Sequence, residues 1–157
     1  MTRERREFVR TRENRRCGYC GVAESSVGGT LTIDHFRPTI HGGGDEPENL
    51  VYCCHCCNSF KGDYWHDDPE QRLLSPRYDV MSEHLLLIDR GTLQPLSQRG
   101  TLHIRILHLN RDALVEHRFE LTQMEAARER QKLLIAQINE MERRVIELQR
   151  RIRDLLS

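Results

Sequence analysis

The chain has 157 residues, the size of one ordinary domain, and its 38% apolar and 31% charged content supports one modest core rather than two. No apolar run approaches the roughly 18 residues a membrane span needs, and the arginine-rich start lacks the apolar segment of a secretory signal. A cytoplasmic protein is therefore expected, in which clustered cysteines stay reduced and bind metal more often than they form disulfides.

The formal net charge is zero, but residues 2–16, TRERREFVRTRENRR, hold seven Arg against three Glu. A helix is predicted over 3–15, its arginines free either to neutralise phosphates or to pair with their own glutamates. Cys17-Gly18-Tyr19-Cys20 reads as a tight turn, and Leu31-Thr32-Ile33 alternates as a short strand does. Residues 38–48, PTIHGGGDEPE, are a loop, because a glycine triplet and two prolines permit nothing regular. Leu50-Val51-Tyr52 is a second strand, and a short helix is expected from Asn58 onward. Tyr64 and Trp65 could stack on a base but are expected to cap a small core, and 67–83 are irregular. His84 to Ile88 and Leu93 to Leu96 form a hairpin through DRGT. Thr101 is expected to cap the helix LHIRILHL, and Asn110 the final helix.

Four of the six cysteines fall within NLVYCCHCCNSFKGD, residues 49–63. A structural zinc takes four N or S ligands, commonly from two C-x2-C turns. Cys17 and Cys20 supply one pair; the second is either Cys53 with Cys56 or Cys54 with Cys57, with His55 an available substitute. One zinc per chain is the economical reading, since six thiols cannot make two separate four-ligand sites without bridging ligands or histidines.

The order CGYC, LTIDHFRP, GGGDEPENLVYCCHCCNSFKGD over residues 17–63 resembles the HNH endonuclease family, the ββα-metal nucleases. The three letters fall on His35, Asn49 and Asn58, with asparagine at the third place as a variant that keeps a metal-binding oxygen. The resemblance selects Cys54 and Cys57, beside Cys17 and Cys20, as the zinc ligands and leaves Cys53 and Cys56 as small buried side chains. It implies a metal-dependent phosphodiester hydrolase with His35 as general base and Asp34 and Asn58 as ligands of a catalytic Mg²⁺ or Mn²⁺. Asn49 would hold the loop behind His35, and Lys61 would touch a phosphate. The chemistry suits these types: an imidazole titrates near neutrality, and oxygen ligands suit a hard dication with open positions. The zinc would then be structural.

From Met124 to Leu155 the apolar positions 124, 127, 134, 138, 141, 145, 148, 152 and 155 keep a heptad interrupted only by Gln131. At 1.5 Å per residue that stripe is roughly 50 Å long, too long for a nuclease core to cover. A second copy or another protein is expected to meet it.

The expected fold is thus α+β: a small zinc-stabilised ββα-metal core, an added hairpin and a long C-terminal coiled-coil helix. Residues 1–66 would form the basic helix and nuclease core, 67–110 an accessory hairpin and helix, and 111–157 the association helix. DNA is the expected substrate, with RNA still open, and a place in a defence complex follows from fold-level association alone. The alternative is a non-catalytic zinc scaffold or nucleic-acid-binding subunit.

Overall fold

Two short antiparallel ribbons organise the chain, and helices flank both. The computed structural model describes residues 1–156. In chain order the elements are α1 (Arg3–Arg12), α2 (Glu24–Val27), β1 (Thr32–His35), β2 (Leu50–Cys53), α3 (His55–Lys61), α4 (Met81–His84), β3 (Leu85–Leu87), β4 (Leu93–Pro95), α5 (Gln98–Ile106) and α6 (Asp112–Leu155). β1 pairs with β2 in the register Thr32–Cys53, Ile33–Tyr52, Asp34–Val51 and His35–Leu50, and α3 follows directly. β3 pairs with β4 in a second ribbon.

β2 is buried along its whole length and forms the spine of the core. Val9 of α1, Leu31, Leu73, Leu107, Leu109 and Leu114 pack around it. The core therefore draws on residues from α1 to the first turn of α6, and each fully buried aliphatic side chain contributes about 1.5–3 kcal/mol. Much of the basic arm serves this packing. Arg6 Nη2 donates to the Leu31 carbonyl at 2.6 Å, and Arg12 donates to the carbonyls of Pro47 and Leu50 at 2.7 and 2.6 Å. Arg10 forms a two-pronged pair with Glu24 at 2.7 Å, and Glu24 also accepts from the Tyr52 hydroxyl. That clasp holds the Glu24 carboxyl down to about 2, chiefly through the Arg10 hydrogen bonds.

Several helix starts differ from the sequence expectation, each for a local reason. α3 opens at His55 rather than Asn58, because the Cys54 Sγ accepts from the Cys57 amide at 3.4 Å and makes the metal-knuckle turn the first turn of the helix. Ser97, not Thr101, caps α5: its hydroxyl accepts from the Gly100 amide at 3.0 Å, and Thr101 donates back to the Ser97 carbonyl. Asn110 does not cap α6. Its side chain clasps Leu93, accepting from the amide and donating to the carbonyl, both at 2.8 Å. Within the loop 38–48, Thr39–His41 and Pro47–Asn49 each close a single 3-10 turn.

α6 is docked only at its start. Leu114 is buried, and the hairpin turn meets α6 at Gly91, where a Cβ would lie 2.1 Å from the Val115 carbonyl oxygen. From Phe119 onward every described residue of the helix is exposed.

Candidate active site

The Cys17–Cys20 turn lies against β2, where the Gly18 amide donates to the Tyr52 carbonyl at 2.8 Å. This brings it beside the start of α3, and the sulfurs of Cys17, Cys20, Cys54 and Cys57 all come within 4.8 Å of one another. A tetrahedron with Zn–S bonds of about 2.3 Å has an edge of ~3.8 Å, and Cys20 Sγ and Cys54 Sγ lie 3.8 Å apart. Contacts led by Cys17 pull the Cys54 thiol down and push those of Cys20 and Cys57 up. Four sulfurs so placed are consistent with a zinc site. Neither Cys53 nor Cys56 belongs to the cluster; Cys53 is buried as expected, but Cys56 is exposed, against the expectation that both are buried.

β1 sends successive side chains to opposite faces. Asp34 turns inward, where Tyr19 Oη donates to Oδ2 at 2.5 Å and Lys61 Nζ lies 3.1 Å from Oδ1 and 3.0 Å from Oδ2. Burial pushes the Asp34 carboxyl up, against the opposing pull of Lys61 and Tyr19. His35 turns to the half-open side. Around the end of β1 runs a polar cleft of about 200 Å³, walled by Asp34, His35, Pro38, Thr39, Asn58 and Asp63 among others. A larger groove of about 570 Å³ lies between Tyr64, Asp68, Glu70, Gln71, Thr101 and Arg105; it holds carboxylates but no histidine.

Asn49 spans the loop behind His35. Its Oδ1 accepts from the Arg37 amide at 2.8 Å, and its Nδ2 donates to the carbonyls of Arg37 at 3.0 Å and Gly44 at 2.9 Å. The wrap is tight enough that a Cβ on Gly43 would lie 1.8 Å from the Arg37 carbonyl oxygen. The loop also delivers Asp45, whose Oδ1 lies 2.7 Å from His35 Nε2. A carboxylate only accepts, so beside ionised Asp45 the neutral imidazole carries its proton on Nε2 and has its lone pair on Nδ1. The His35 hydrogen bond, with help from the chain amino terminus and Arg5, holds the Asp45 carboxyl below its ordinary range.

Lys61 differs from its expected placement. Its ammonium is buried, and besides Asp34 it donates to the His35 carbonyl at 2.8 Å, so it ties α3 to β1 rather than facing a phosphate. Sequence reasoning also missed Asp45, an acidic loop residue with nothing local to mark it, and Tyr19, which lies between two knuckle cysteines. Asn58 and Asp63 make no side-chain hydrogen bond within the described protein. The cleft therefore presents unengaged oxygens of Asn58 and Asp63 beside the Asp34 carboxylate, which Tyr19 and Lys61 already hold; oxygen donors of this kind suit Mg²⁺ or Mn²⁺.

No helix among the described residues is long and apolar enough to cross a membrane. Comparison with curated proteins and with solved structures gives no match. The family model of the HNH endonuclease matches residues 17–64, a span that contains both cysteine pairs and every wall of the polar cleft. The likeness to the HNH endonuclease family thus covers residues 17–64, under a third of the chain.

Proposed function

We propose that the chain is a metal-dependent endonuclease that hydrolyses phosphodiester bonds in DNA. The observation that carries this reading is the convergence of His35, Asp34 and Asn58 on one polar cleft within the HNH span. His35 takes the proton of the attacking water through its free ring nitrogen. Asp45 holds the ring in the tautomer that leaves that nitrogen available, and Asn49 pins the loop that carries Asp45. Asp34 and Asn58, with Asp63 on the same wall, would hold Mg²⁺ or Mn²⁺, which neutralises charge on the phosphate and stabilises the leaving oxygen. Lys61 orients the Asp34 carboxylate and anchors the His35 main chain. The zinc is structural and joins the first knuckle to α3. Cleavage of plasmid DNA with added Mg²⁺, compared with His35→Ala, tests the reading against a non-catalytic zinc scaffold, which would bind DNA and leave it intact.

The C-terminal helix favours an added role in association. Ile138, Met141, Val145, Leu148 and Ile152 are each about half exposed, at 49–58%, on a helix arm whose described residues are all exposed from Phe119 onward. In a parallel homodimer the flanking pairs would be Arg130–Ile135, Gln137–Glu142, Arg144–Gln149 and Arg151–Leu156, none of opposite charge. A partner helix with acidic flanks suits the Arg130, Arg144 and Arg151 edge better than a second copy does. The chain then acts as the nuclease component of a complex held through residues 124–155, and a defence complex is one setting for such a component.

A further inference from the structure

A second polar feature borders the cleft. Phe36 and Arg37 continue the chain from His35, and Trp65 follows Asp63 by two residues, so both run out of the cleft walls. Tyr64 packs on the core, but Trp65 does not join it there. Its ring meets Phe36 edge-on at 6.0 Å, with the guanidiniums of Arg37 and Arg72 at 5.4 and 4.5 Å from its centroid. Both distances are within cation–π reach.

The two guanidiniums are held in place by main-chain carbonyls. Arg37 Nε donates to His41 O at 2.6 Å, and Arg72 donates through Nε to His66 O at 2.7 Å and through Nη2 to Asp67 O. Among the described residues neither has a carboxylate within ion-pair distance. Four arginines packed on the core differ, since Arg10, Arg12, Arg77 and Arg99 each pair with Glu or Asp, whereas Arg6, Arg111 and Arg118 also donate to main-chain carbonyls. Two acidic groups lie near the stack. Asp67 accepts from Trp65 Nε1 at 3.3 Å, and Asp68 accepts from the Glu70 amide and the Gln71 side chain while feeling Arg72 from beyond ion-pair distance. Both nitrogens at the Arg37 tip and the Arg72 Nη1 remain without a protein acceptor.

A guanidinium fixed in position loses little further freedom on binding and matches the geometry of a phosphate. We infer that Arg37 and Arg72, ordered by Trp65, grip the backbone phosphates that flank the bond lying in the cleft. The inference rests on the nuclease reading for its substrate. The grip is independent of base sequence, since it touches phosphate alone.

Each duplex phosphate neutralised adds about 0.9 to the slope of log affinity against log salt. The test measures that slope by fluorescence anisotropy on a labelled mixed-sequence DNA duplex, with His35→Ala protein so that the probe stays intact. Adding Arg37→Gln and Arg72→Gln is expected to lower the slope by about 1.8, and Arg37→Gln alone by about 0.9. Arg37 is exposed, so the single variant remains readable if the double variant fails to fold. Bound zinc, measured on the same samples, reports folding. An unchanged slope in a zinc-loaded Arg37→Gln protein overturns the grip even where the parent chain cuts DNA. The expected fall in slope, found with a parent chain that never cuts, supports the grip and removes the nuclease reading.

Discussion

His35 Nε2 and Asp45 Oδ1 lie 2.7 Å apart, and the loop that carries Asp45 is the one Asn49 holds shut. If Asp45 fixes the tautomer of His35, Asp45→Asn should slow DNA cleavage while leaving zinc content and DNA affinity in place. The loss should be smaller than the ~10²-fold expected for removing the base itself. Single-turnover rates of the two variants, measured side by side, check the ranking; equal rates for Asp45→Asn and the parent would remove Asp45 from the account.

Gly43 tests the same loop from the backbone. Its missing Cβ leaves room for the Arg37 carbonyl and the Asn49 amide. Gly43→Ala must push the loop off Asn49, at about 1–3 kcal/mol for an overpacked contact. The expected result is a lower melting temperature and slower cleavage with one zinc still bound. A variant indistinguishable from the parent in both would show that the loop closes loosely.

The cysteine register makes a metal-analysis prediction. Cys17→Ser and Cys57→Ser should lose zinc and much of the fold, because a structural zinc contributes directly to folding. Cys53→Ser and Cys56→Ser should each keep one zinc per chain, since their sulfurs lie outside the cluster. Two zincs per chain, or zinc lost from Cys53→Ser, would contradict the ligand set.

The parts legible in the sequence were those written in local spacing. The C-x2-C knuckles, the β1 and β2 segments and the Asp34-His35 pair each carry their signal within a few residues. Long-range partners were not legible. Nothing in GGGDEPE marks Asp45 as the partner of His35, because that contact depends on how the loop folds around Asn49. The inward turn of Lys61 depends on the Asp34 carboxylate and the His35 carbonyl, more than twenty-five residues away. Asn110 reads as a helix cap in isolation but is taken by Leu93, seventeen residues away. In each case a tertiary hydrogen bond displaced the local preference.

The exposed stripe of α6 predicts association through residues 124–155. Ile138→Asp combined with Leu148→Asp should abolish it and leave zinc content unchanged, since the arm beyond Phe119 is exposed throughout. Sedimentation of the purified chain separates the two kinds of partner. A monomer at micromolar concentration rules out the homodimer, and a tight, salt-insensitive dimer removes the reason for invoking an acidic-flanked partner.

The cleft around His35 should cut phosphodiester bonds with an added divalent metal. The most direct measurement is conversion of supercoiled plasmid to nicked or linear DNA by zinc-loaded protein, with Mg²⁺, with EDTA, and with His35→Ala. Cleavage is expected with Mg²⁺, none in EDTA while the zinc is retained, and a fall of ~10²-fold or more for His35→Ala. Undiminished cutting in EDTA, or by His35→Ala, would contradict it.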